Sequence, residues 1–264
     1  MTTDATHPHP YLRVETDGPV RVVTLDRPDK RNAQTPSLWR ALADEARNLP
    51  DEVRVVVIRG AGEAFSAGID TAMFGAAGIE GEESMAELVA THGPEAMDRV
   101  IAAYQEGFTA WGECPALVVA QVHGYAIGAG FQLALAADLR VASLEAWFAM
   151  RETSLGLVPD LGGTGPLVHL VGYARALEIC ATGRRVSAPE AHAMGLVNAI
   201  APAADLDEAT FSLVQHVLTA PEPAVRALKP LLRSAVTADR DTQLAAERAA
   251  QSGLLRALMG GATG

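Results

Sequence analysis

Along the first 150 residues, short apolar runs alternate with segments of helical period. Beyond them, helical period dominates almost alone. Residues 11–15 and 20–25 predict short strands around Asp17, Gly18 and Pro19, a hairpin turn. A polar loop covers 26–32. Thr35 and Pro36 open a helix that runs to about residue 49, with proline at its first position. Residues 53–59 (VRVVVIR) predict a buried strand closed by Gly60 and Gly62. From 71 to about 92 the pattern is loose, as in a ligand-covering segment. A helix is predicted over 94–111. Short strands are predicted over 139–142, 147–149 and 196–200, with a long loop at 151–165. Helices are predicted over 164–171, 173–182, 188–194, 205–219, 223–237 and 240–258. The chain therefore predicts an α/β first part and a mainly helical last part.

One stretch organises this pattern. Residues 114–137, CPALVVAQVHGYAIGAGFQLALAA, contain no Asp, Glu, Lys or Arg. The length would suffice to span a membrane, but Gln121, His123, Gln132 and the glycines at 124, 128 and 130 would need polar partners there. The stretch divides better into a buried strand (116–122), a glycine-punctuated turn (123–128) and an Ala/Leu-rich helix (129–137). A strand that feeds a glycine turn and a helix N-terminus leaves peptide N–H groups free. Those groups can hold a phosphate or an oxyanion formed during a reaction.

Composition narrows the possibilities. A chain of 264 residues with 49% hydrophobic positions can bury a large core. The net charge of −11 argues against nucleic acid as the main partner. The two cysteines, Cys114 and Cys180, read as buried free thiols of a reduced compartment, and no Cys/His spacing suits a metal. The N-terminus lacks a signal-peptide pattern, so the expectation is a cytoplasmic protein whose first ten or so residues form a flexible tail.

Several residues could carry chemistry. The small-residue turns at 65–70 and 124–130 each follow a buried strand. In a parallel sheet both would reach one edge, and each could donate an N–H to a shared site. The glycines of either turn alone would be explained by tight turning. Gly128, Gly130 and Leu133 match a dinucleotide fingerprint poorly, since the third position is not glycine. Glu152 and Asp160 share one loop and could serve as general base or acid; alternatively they are solvated charges or a helix cap. Gln132, on the first turn of the central helix, can orient a group but cannot take a proton. Arg27, Lys30 and Arg31 could bind a phosphorylated ligand or simply be solvated. His123 reads as structural. Ser66 lacks the surroundings of a nucleophile elbow.

Five motifs in order, RPDKRNA (27–33), AFSAGID (64–70), VHGYAIGAGFQLALAADLRVA (122–142), FAMRETSLGLVPDLGGT (148–164) and ATGRRVSAPEAHAMGLVN (181–198), resemble the crotonase family of enoyl-CoA hydratases and isomerases. The resemblance implies a spiral of ββα units over residues 11–200, followed by a helical trimerisation region over 201–264. It implies a homotrimer or a dimer of trimers. It implies an acyl-CoA substrate, coenzyme A being part of that substrate and no separate cofactor being needed. By motif position the oxyanion hole would be the N–H groups of Ile69 and Ala129. Arg27, Lys30, Ala33, Ala67, Gly68, Asp70 and Tyr125 would line the coenzyme A site. Hydratases of the family use two glutamates; the first falls on Gln132 here and the second on Glu152. Asp160 matches a position that is acidic in several isomerase-type members. The resemblance thus implies Glu152, Asp160 and Gln132 as the catalytic set and favours double-bond isomerisation. Hydration with Glu152 as sole glutamate and non-catalytic acyl-CoA binding are the alternatives. The last helix is expected to be shorter than the family's usual one.

Overall fold

The computed structural model describes residues 5–75 and 78–260. Its strands in the first part are β1 (Thr6–His9), β2 (Leu12–Asp17), β3 (Val20–Leu25), β4 (Val55–Gly60), β5 (Leu117–Val122) and β6 (Tyr125–Ile127). Then follow β7 (Leu139–Ser143), β8 (Trp147–Ala149), β9 (Val186–Ser187) and β10 (Ala199–Ala201). The helices are α1 (Pro36–Arg47), α2 (Met85–Thr91), α3 (Pro94–Glu113), α4 (Ala129–Ala136) and α5 (Thr164–Val171). After them come α6 (Tyr173–Thr182), α7 (Ala188–Ala193), α8 (Leu206–Thr219), α9 (Glu222–Ala235) and α10 (Arg240–Gly260).

Seven strands form one sheet in the order β1-β2-β3-β4-β5-β7-β10, and β6-β8-β9 form a second, smaller one. From β3 through β10 the large sheet is parallel, so the segments that follow β3, β4 and β5 emerge at one edge. The strands are apolar on both faces because both are covered. Val56, Ile58, Val118 and Ala120 face the main core with α1, α3 and α4. Val55, Val57, Val119 and Val141 face α8 through Leu206 and Val214. The charge-free stretch splits into strand, turn and helix as its glycines demand, and among the described residues no helix is long and apolar enough to cross a membrane.

Two local expectations need correction. Residues 6–9 are not a flexible tail: β1 pairs antiparallel with β2, and the Tyr11 N–H donates to His9 Nδ1 (3.1 Å). Residues 1–4 lie outside the described residues. The turn after β5 also contains an extra strand, β6, which leaves the main sheet to pair with β8 in register Tyr125↔Trp147. Its three residues are too short to give a readable period. The loose segment after residue 70 carries a 3-10 turn (Thr71–Phe74) and α2. The strand expected over 196–200 is β10, which begins three residues later and ends one residue later.

The site depends on how closely α4 approaches the turn after β4. A Cβ at Gly130 would stand 2.6 Å from Ser66 O and 2.7 Å from Ser66 Cβ, and a Cβ at Gly68 would stand 2.5 Å from Ile127 O. Gly68 and Gly128 also hold φ of +93° and +52°, which side chains rarely adopt. Gly130→Ala should therefore cost about 1–3 kcal/mol through overpacking. A urea titration checks it, and an unchanged midpoint would contradict the close approach.

Candidate active site

The turn after β4 and the N-terminus of α4 meet at one edge of the large sheet. Gln34 forms a parallel bridge with Ile69: the Gln34 N–H donates to Gly68 O (2.8 Å), and the Asp70 N–H donates to Gln34 O (2.8 Å). Strand alternation then turns the N–H of Ile69 away from Gln34. On the other side the Ser66 N–H donates to Tyr125 O (3.1 Å) and the Ile127 N–H to Ser66 O (3.0 Å), which ties this turn to β6. A Cβ on Gly68 would lie 3.4 Å from Ala129 N, so the two segments are in contact there. Among the described residues no acceptor takes the N–H of Ile69 or that of Ala129. The Ala129 N–H is one of the first in α4, where helix geometry supplies no partner.

Beside this corner lies a carboxylate. Glu152 opens a 3-10 turn (Glu152–Leu155) just after β8. Its Oε1 would be 3.3 Å from a Cβ on Gly128, so the absence of a side chain there makes room for the carboxylate. Gln132 Nε2 donates to Glu152 Oε1 (2.7 Å). The sense of that carboxamide is set from behind: Gln132 Oε1 accepts the N–H of Leu161 (2.9 Å) and of Gly163 (3.3 Å). A carbonyl oxygen must face those two donors, so the amide nitrogen must face Glu152. Glu152 Oε2 is buried and has no partner within the described chain. Burial raises the Glu152 pKa, the Gln132 amide opposes that rise, and the negative charge of Asp160 adds to it. Burial likewise raises Asp160, a hydrogen bond from its own backbone N–H opposing that rise; its carboxylate has no ion pair within the described chain, and its backbone oxygen accepts from Gln105 Nε2 (2.7 Å). Asp160 is not a helix cap, since α5 begins after Gly163.

The residues expected to line a coenzyme site divide. Arg27 is not free: it pairs with Asp70 (2.7 Å), lies over the Tyr11 ring (4.4 Å) and donates to Ala33 O (3.4 Å). Lys30 is exposed and has no ion pair within the described chain. Arg31 pairs with Glu63 (3.3 Å), and its carbonyl accepts the Ala67 N–H (2.9 Å). Asn32, buried, donates to the carbonyls of Ala61, Ala64 and Phe65 and so staples this basic loop to the turn after β4. Ala33 is buried and Ala67 half-buried. Tyr125 stacks on Trp147 (centroids 5.2 Å apart) with its hydroxyl 3.5 Å from Glu63. His123 donates to Gly62 O (2.9 Å) in a structural role. The backbone donors of Leu161 and Gly163 and the contacts of Gln34 and Gln105 are not legible in the sequence. No residue type marks a backbone donor, and lone polar residues among apolar ones give only a weak signal.

A family model described as enoyl-CoA hydratase/isomerase matches residues 15–257, and the chain belongs to that family. Over 226 residues, 84% of this chain and 80% of theirs, it is 38% identical to carnitinyl-CoA dehydratases of Salmonella typhi and Salmonella typhimurium. It superposes on a provisionally named enoyl-CoA hydratase from Thermobifida fusca YX, solved in complex with CoA, with TM-score 0.89, 45% identity and 95% of each chain covered. An enoyl-CoA hydratase from Bacillus anthracis gives TM-score 0.80 at 29% identity, over 93% of this chain and 91% of that one. The protein is thus a crotonase-fold enzyme.

The two neighbours of Glu152 should shift its titration in opposite senses. Activity that needs the carboxylate rises as pH passes through the Glu152 pKa. Gln132→Leu removes a donor to the carboxylate and should move that acid limb to higher pH. Asp160→Asn removes a nearby negative charge and should move it to lower pH. A pH–rate profile of each variant checks the signs; shifts in the same direction would contradict the geometry.

Proposed function

We propose that the protein moves a double bond along the acyl group of an acyl-CoA. Glu152 takes a proton from the α-carbon, the electron pair spreads onto the thioester oxygen as a dienolate, and Glu152 returns the proton at the γ-carbon. The N–H groups of Ile69 and Ala129 form the oxyanion hole in this reading, each donor being worth about 3 kcal/mol at the transition state. Coenzyme A lies along the edge formed by Ala33, Ala67, Gly68 and Tyr125. The Arg27–Asp70 pair shapes its floor, and Lys30 is free to meet phosphate. No further cofactor is needed. The enzyme works in the cytoplasm as a homotrimer or a dimer of trimers; the exposed Leu228, Leu232, Leu255 and Leu258 of α9 and α10 support association.

The observation that carries this reading is the fixed sense of the Gln132 carboxamide. Its oxygen is occupied by two backbone donors, so it cannot accept a hydrogen from a water poised for addition. One carboxylate with a free oxygen, Oε2, suffices to carry a proton between two carbons.

A second reading keeps the enolate but adds or removes water at the β-carbon, with Asp160 holding the water. The names of the dehydratase and hydratase relatives favour it. Incubation with a 3-enoyl-CoA should generate the conjugated enoyl absorbance, and Glu152→Gln should lower that rate by roughly 10²–10⁴-fold while acyl-CoA still binds. Loss of the absorbance of a 2-enoyl-CoA, with no isomerisation, would favour the second reading. Full activity in Glu152→Gln would contradict both.

A further inference from the structure

The turn that presents the Ile69 N–H is held from behind by a buried chain of hydrogen bonds. Trp39 Nε1 donates to Gln34 Oε1 (2.9 Å). Gln34 Nε2 donates to Ser66 Oγ (3.0 Å). Ser66 Oγ in turn accepts the Gly68 N–H (3.1 Å) and donates to Asn32 O (2.8 Å). Trp39, Gln34 and Ser66 are each at most 1% exposed. We propose that Gln34 and Trp39 are positioning residues that set the direction of the Ile69 N–H through Ser66. The proposal rests on the reading of that N–H as half of the oxyanion hole.

Every polar atom of the chain has one possible role. An indole N–H only donates, so Gln34 must turn its oxygen to Trp39 and its nitrogen to Ser66. Ser66 Oγ has a single hydrogen, directed to Asn32 O, so it meets Gln34 and Gly68 as an acceptor. Gln34 also brackets Ile69 with its own backbone, through Gly68 O and the Asp70 N–H. The one residue is therefore fixed to the turn at three points. A leucine would fill the same space between α1 and the turn without demanding partners, whereas a buried amide is stable only when fully paired. The pairing ties the turn's rotation to α1, which is itself packed on α3 through Trp39 against Tyr104 (centroids 5.1 Å apart) and Phe108 (5.9 Å apart). A small misdirection of a catalytic group costs far more rate than stability.

The test uses acetoacetyl-CoA, which ionises to an absorbing enolate with the charge that an oxyanion hole would hold. The wild type should enrich the enolate of bound acetoacetyl-CoA over that of the free compound. Gln34→Leu should lower the bound enolate-to-neutral ratio and kcat together by roughly tenfold or more, with KM and calorimetric CoA affinity held within about twofold. Trp39→Phe keeps an aromatic ring in the core but loses the N–H together with part of the ring, and should give a smaller loss in the same sense; it also serves if Gln34→Leu does not fold. The double variant should fall no further than Gln34→Leu, since both cut one chain. Trp111→Phe is the control: Trp111 is equally buried in the same core, its Nε1 has no partner within the described chain, and the enolate ratio should stay at the wild-type value. A wild-type ratio in folded Gln34→Leu or Trp39→Phe, or an equal loss in Trp111→Phe, would overturn the relay alone. No enolate enrichment in the wild type would overturn the oxyanion-hole reading and the relay with it.

Discussion

The contact between the N-terminus of α4 and the turn after β4 is the constraint on which the rest of the site depends. Two peptide segments can lie this close only where no Cβ stands between them, and Gly68 and Gly130 each clear one such approach. Gly130 lets the helix settle on Ser66. Gly68 lets the turn settle on β6 and Ala129. Gly128 leaves its space to the Glu152 carboxylate. The parallel sheet delivers both segments to one edge, and the apolar faces of β4 and β5 hold the edge in place by burial rather than by charge. The fold thus places N–H groups that have no partner among the described residues beside a buried carboxylate oxygen.

Chemistry at that corner follows from hydrogen-bond accounting more than from net charge. Backbone donors of the 161–163 segment decide which way Gln132 points, and Gln132 decides which Glu152 oxygen is occupied. Burial makes the Glu152 carboxylate more basic, while the amide contact limits that rise. The same logic recurs behind Ile69, where the indole of Trp39 sets the sense of Gln34. In both places a neutral side chain with one forced orientation holds the group beside it in place. The Arg27–Asp70 pair is the ionic counterpart between the basic loop and the turn after β4, where each charge is fixed by the other.

Much of this is legible in the amino-acid sequence. The charge-free stretch announced a buried strand and helix because nothing else satisfies its glycines and glutamines. The two glycine turns after buried strands pointed to a shared edge, and ordered motifs pointed to the family. What escaped has physical reasons. Residues 6–9 form a strand only because the edge of β2 offers partners, which a local sequence with His and Pro does not reveal. Strand β6 is too brief for periodicity. The pairing of Arg27 with Asp70 carries no local signal, because the two residues lie in different turns. Ser66 lacks the surroundings of a nucleophile elbow, and its hydroxyl is fully engaged in holding the turn. The orientation of Gln132 could not be read at all, since backbone N–H groups carry no sequence signature.

The central claim is that Glu152 exchanges a proton with the α-carbon of a bound acyl-CoA under an oxyanion hole. Deuterium incorporation at the α-carbon of a saturated acyl-CoA in heavy water, followed by NMR, tests it without requiring any double bond or water addition. The account predicts exchange with the wild type and its loss in Glu152→Gln, with acyl-CoA affinity retained. Exchange undiminished in Glu152→Gln, or no exchange with the wild type while the acyl-CoA is bound, would contradict it.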